Sequence, residues 1–118
     1  MMINLDYQSR IPIYEQIVNT IEKYVSLGLL KPTEQIPSIR EMAATLGINP
    51  NTVKKAYTIL EQKGVIVTLS TKGTYITEKI DRVSDEVKKR KLENIKKEIK
   101  ELEKYGMKLD DIIKELKK

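Results

Sequence analysis

Apolar positions recur every third or fourth residue through the first half of the chain, and that spacing predicts three helices. Ile13, Ile17, Ile21 and Val25, with Tyr14 and Val18 beside them, predict a helix from Pro12 to about Leu27, closed by Gly28. "LKPTEQIP" reads as a turn leading into a short extended piece at Gln35–Ile36. "SIRE" is a capping box, with Ser38 at the N-cap and Glu41 three residues on, and Ile39, Met42, Ala43 and Leu46 give the helix behind it an apolar face. "GINPNTVKKAY" then joins this helix to the next. A proline inside a helix costs about 3 kcal/mol, whereas at the first helical position its missing N–H and preset φ cost little. Pro50 therefore starts a helix, Asn49 caps it, and Gly47 ends the helix before it in the left-handed conformation. Val53, Ala56, Tyr57 and Leu60 form the inward face of this third helix, which runs to about Lys63 before Gly64 closes it.

The period then changes to two. "VIVTL" and "TYIT" are β-branched strands on either side of "STKG". Two short strands after three helices, with the last two helices joined by a tight turn, predict an α+β fold, a winged helix-turn-helix over residues 1–78. From Ile80 the pattern is that of a charged helix, in which Leu92, Ile95, Ile99 and Leu102 follow a/d spacing. Tyr105-Gly106 breaks it, and "LDDIIKEL" predicts a last short helix with Leu109, Ile112, Ile113 and Leu116 on one side. Residues 79–118 are thus expected to be a helical dimerisation segment. The competing arrangement is a tail that packs back on its own domain.

Charge sharpens this division. The net charge of the 118 residues is +5, with 8 Lys/Arg against 7 Asp/Glu up to residue 78 and 14 against 10 beyond it. Bulk charge is therefore a weak pointer to nucleic acid, and local placement has to carry the case. Cys and His are absent, which removes disulfides, thiol chemistry and the usual zinc ligands, so no metal or cofactor is expected. No run of about 18 apolar residues is present to span a membrane, and "MMINLDYQSR" lacks an apolar signal core, so a cytoplasmic protein is expected.

Helix geometry selects the polar face of the third helix. At about 100° per residue, burying Val53, Ala56, Tyr57 and Leu60 turns Asn51, Lys55, Thr58 and Gln62 outward, with Lys54 on the flank. Recognition helices read base edges with their N-terminal residues, where Asn pairs with adenine and Lys reaches guanine or phosphate. Base contact is expected from among Asn49, Asn51, Thr52 and Lys55. Ser38 and Arg40, at the start of the second helix, are expected phosphate-side contacts, and Lys72, at the wing tip, is an expected minor-groove or phosphate contact. The plainer alternatives are a solvated polar face, an Arg40 ion pair with Glu41 or Glu34, and a solubilising loop lysine.

"IPIYEQI…KPTEQIPSIREMAATLGINPNTVKKAYTILEQKGVI…KGTYI" resembles the DNA-binding domain of GntR-family bacterial transcription regulators over Ile11 to Thr77, about two-thirds of the chain. "NPNTVKKAY" and the short helical tail resemble the YtrA-like subfamily. The resemblance implies a homodimeric regulator, usually a repressor and often of a transporter operon, bound to double-stranded DNA. It implies DNA contacts at Arg40, Asn49, Asn51, Thr52, Lys72 and Gly73. Three positions depart from the family pattern: Pro50 stands where many relatives have Arg, and Thr33 and Thr71 stand where glycines are usual. A small-molecule effector is left open, because the tail is too short for a large pocket.

Two other readings compete. A winged-helix protein–protein module would show apolar residues on the outer face of the third helix, where this chain has Asn, Lys, Thr and Gln. An enzyme finds no support: there is no phosphate-binding glycine motif, and acidic pairs such as Asp110-Asp111 lie in a charged helix.

Overall fold

The computed structural model describes residues 2–69, 71–78 and 80–118, with the backbone alone for 80–84. Ser70 in the wing tip and Lys79 at the start of the expected tail lie outside the described residues. Eight elements follow in order: α1 (Ile13–Ser26), β1 (Gln35–Ile36), α2 (Ile39–Leu46), α3 (Pro50–Gln62), β2 (Ile66–Leu69), β3 (Gly73–Ile76), α4 (Ile80–Lys104) and α5 (Leu109–Leu116). Two compact units divide them, Met1–Ser84 and Asp85–Lys118.

In the first unit three helices pack over a core with no Phe or Trp. Ile17, Ile21, Val53, Ala56, Leu60 and Val65 are fully buried, and Tyr57 is the largest side chain among them. The predicted inward residues of α3 are all in this core. The sheet is antiparallel in the order β1-β3-β2. Gln35 pairs with Tyr75, and Ile66, Val67, Thr68 and Leu69 pair with Ile76, Tyr75, Thr74 and Gly73. Thr74 and Ile76 point into the core, so the wing is bonded to the helices along one face. Thr77 extends this attachment, donating from its N–H to the Val65 carbonyl and from its hydroxyl to Gly64.

The segment before α1 is more ordered than its polar composition predicts. The Gln16 amide donates to the Asp6 carbonyl at 2.9 Å and the Ile11 carbonyl at 2.8 Å, and its oxygen accepts from Asp6 N–H. The Tyr24 hydroxyl donates to the Met2 carbonyl, and Ile3 is buried.

In the second unit, Gly106 at φ +92° ends α4. Its N–H bonds the Glu103 carbonyl, while Met107 N–H bonds that of Leu102, which turns the chain into α5. Ile112 is buried, and it shares an apolar groove of about 290 Å³ with Ile95, Ile99, Leu102 and Leu116. Leu92, Ile95, Leu102, Leu109, Ile113 and Leu116 are exposed.

One turn carries strain. Glu34 N–H bonds the Lys31 carbonyl across Pro32-Thr33, and Thr33 sits at φ +66°, the only described non-glycine residue with positive φ. Proline followed by a residue with positive φ is the arrangement of a type II turn, which favours glycine at the second position. The turn is held there because Thr33 N–H bonds the Ile76 carbonyl and Ile76 N–H bonds that of Glu34. A left-handed residue with a Cβ costs roughly 1–2 kcal/mol, partly offset by the greater unfolded-state freedom of glycine. Thr33→Gly is therefore expected to stabilise the fold by about 0.5–1 kcal/mol, seen as a melting midpoint raised by a few degrees. A lowered midpoint would show that the threonine is unstrained.

Candidate nucleic-acid interface

The turn between α2 and α3 is as tight as the sequence requires. Gly47 adopts φ +67°, and Ile48 N–H returns to the Ala43 carbonyl at 3.1 Å. Ser38 and Glu41 form the predicted capping box at the start of α2. The Asn49 carboxamide oxygen accepts from Asn51 N–H at 2.8 Å, with Pro50 at the first helical position. This engages the Asn49 oxygen and leaves its NH₂ group to donate outward.

Tyr57 locks the pair together. Its hydroxyl donates to the Pro37 carbonyl at 2.6 Å, tying α3 to the residue before the N-cap of α2. Burial, assisted by the Glu41 carboxylate, pushes ionisation of this phenol far above its usual range, so the hydroxyl keeps its proton.

Around this fixed crossing most of the expected side chains face solvent. Arg40, Asn49, Asn51, Lys54, Lys55, Thr58 and Gln62 are exposed, and Ser38 and Thr52 are half-buried. Arg40 makes no ion pair with Glu41 or Glu34 among the described residues, so its guanidinium is available. Lys55 Nζ lies 4.0 Å from the centroid of the Tyr14 ring. At the C-cap of the same helix, Lys63 Nζ bonds the buried Glu22 carboxylate at 2.8 Å. Both pairs are separated by the same 41 positions, so α1 and α3 run in the same sense along their contact.

The wing tip is held from behind. The Lys72 carbonyl accepts from the Tyr75 hydroxyl at 2.9 Å and from the Gln35 amide at 3.4 Å, while the Lys72 side chain is exposed. Gly73 has φ +116°, and a Cβ there would stand 2.7 Å from Gln35 Nε2. A positive φ in the wing thus falls on Gly73.

Sequence periodicity alone does not find Tyr14, Gln35 or Tyr75. Tyr14 and Gln35 act through partners 41 and 37 positions away, and Tyr75 acts on a carbonyl that only the folded wing brings to its hydroxyl.

A helix-turn-helix with a polar outward helix, backed by an antiparallel wing, defines a bacterial transcription regulator of the winged helix-turn-helix class. The chain belongs to the family described as bacterial regulatory proteins, gntR family, whose pattern matches residues 13–76. It is 48% identical over 77 residues to the HTH-type transcriptional repressor YtrA of Bacillus subtilis, a match covering 65% of this chain and 59% of that protein. It is 37% identical to the transcriptional regulator YhcF of the same organism, over 81% of this chain and 82% of that one. The crystal structure of a transcriptional regulator from Oenococcus oeni superposes with a TM-score of 0.80 at 38% identity, covering 96% of this chain and 94% of the other. No helix among the described residues is long and apolar enough to cross a membrane.

The demand for glycine at this position is open to measurement. Gly73→Ala is expected to cost about 1–3 kcal/mol, because the alanine would be held in a region that is nearly glycine-only. Denaturant titration measures the loss, and a Gly73→Ala chain as stable as the native one would contradict this account of the wing.

Proposed function

We propose that the protein is a homodimeric, sequence-specific repressor that binds a palindromic DNA operator, reading bases with the start of α3 and gripping the backbone with the wing. The observation that carries this is the outward face of α3. Asn51, Lys55, Thr58 and Gln62 are exposed on a helix whose opposite face is buried without remainder. A protein-docking module in this position would expose apolar side chains instead. In this reading Asn51 and Lys55 supply the base-edge contacts, assisted by Asn49 and Thr52. Ser38, Arg40, Lys54, Lys72 and Gly73 supply phosphate or minor-groove contacts. The role is binding rather than catalysis, and DNA as the target implies the cytoplasm. Repression accords with the function named for the YtrA relative, and a transporter operon is the target implied by the resemblance.

Residues 79–118 are proposed as the dimer-forming segment. Six large apolar side chains on α4 and α5 are exposed in the single chain, and a partner helix would remove them from water at about 25 cal/mol per Å². Two reading helices on one dimer place half-sites about one helical turn apart, or a multiple of it.

Base and phosphate contacts separate by their signatures. After selection of a preferred site from random DNA, Asn51→Ala is expected to cost about 1–3 kcal/mol there and to relax specificity at one or two positions. Lys72→Ala should weaken all sequences alike and lower the salt slope by about one. Equal loss on random DNA for Asn51→Ala would argue against base reading, and an unchanged slope would remove Lys72 from the interface. The dimer has its own test. Sedimentation of the full chain at micromolar concentration should show a dimer. Ile95→Glu with Leu102→Glu should give a folded monomer that binds the operator about 10²–10⁴ times more weakly. A monomeric native chain would sink this role for the tail.

A further inference from the structure

Lys55 points outward by the phase of α3, yet its ammonium is not loose. It rests on the face of Tyr14, 4.0 Å from the ring centre, and forms no ion pair among the described residues. The two residues come from different rigid elements. Tyr14 is the second residue of α1, whose approach is fixed by the Gln16 bonds to the Asp6 and Ile11 carbonyls. Lys55 is the sixth residue of α3, whose rotation on α1 is set by buried Val53, Ala56 and Leu60 and by the Lys63–Glu22 pair.

We propose that Tyr14 is a positioning residue for Lys55. Its ring face holds the ammonium at one flank of α3, so that this lysine meets DNA from a single place. The inference rests on the reading of α3 as the DNA-reading helix. A lysine carries a compact charge on four flexible carbons, and unrestrained it reaches phosphates and bases over a wide arc. The negative face of an aromatic ring attracts the cation when it lies within about 6 Å of the centroid. One side of the ammonium then faces the ring, and its N–H groups on the other side remain to donate to guanine O6 and N7 or to a phosphate oxygen. The face of the ring does this, so the hydroxyl is dispensable.

The test is a double-mutant cycle on the full-length protein and its selected DNA site. Tyr14→Leu is expected to weaken binding about two- to fivefold in the native background. In a Lys55→Met background the same change should have no further effect. Tyr14→Phe should bind like the native chain. Without DNA, the Lys55 side-chain methylene protons should show a ring-current shift by NMR that Tyr14→Phe keeps and Tyr14→Leu abolishes. Equal losses from Tyr14→Leu in both backgrounds would mean that the ring acts only through the fold, and would overturn the proposal. So would a Tyr14→Phe chain as weak as Tyr14→Leu, which would assign the effect to a hydroxyl contact with DNA. Lys55→Met binding like the native chain would overturn both this proposal and Lys55's share of base reading, while Asn51→Ala still reports on α3 as the reading helix.

Discussion

The hydroxyl of Tyr57 is 2.6 Å from the Pro37 carbonyl, and its ring is 1% exposed between α3 and the chain that enters α2. A buried hydroxyl without a partner is expensive, so the ring can enter the core only where that carbonyl awaits it. The bond therefore sets how α3 crosses α2, and with it the direction in which Asn51 and Lys55 point. Burial and the Glu41 carboxylate both oppose ionisation of the phenol, so the contact keeps its donor proton. The tight turn at Gly47 permits this crossing, and Tyr57 selects it.

The core around Tyr57 is small and largely aliphatic. Ile17, Ile21, Val53, Ala56 and Leu60 leave little room for α3 to roll. Two polar contacts, Tyr14 with Lys55 and Glu22 with Lys63, fix α3 along α1 about 12 Å apart, given eight residues at 1.5 Å each. Neither is a large source of stability by itself. Their effect is geometric, because a helix that reads base edges has to present its side chains within a narrow range of rotation. The wing follows the same logic, with the Lys72 carbonyl held by Tyr75 and Gln35 while its side chain faces solvent.

The two units divide the chemistry between them. The first buries its apolar residues in one core and keeps its polar face on α3. The second is densely charged, with 12 Lys/Arg against 9 Asp/Glu over Asp85–Lys118, and its apolar residues are mainly at the surface. A proposed dimer would use this second surface to hold two copies of the first.

Local pattern was enough for the helices, their caps and the inward face of α3. Ser38, Glu41, Asn49, Pro50 and Gly47 act within one turn of their own backbone, and Val53, Ala56, Tyr57 and Leu60 follow a single period. The outward set at Asn51, Lys55, Thr58 and Gln62 followed from that period alone, since a helix with one face buried has no choice about the other. What only the tertiary structure decided lies between distant segments. The left-handed Thr33 is imposed by the ladder to Ile76, the approach of Gln35 to Gly73 leaves no room for a Cβ, and Lys55 lies against a ring 41 positions earlier. Periodicity carries no information about such pairs, because their energies depend on distances that exist only once the helices and the sheet have packed.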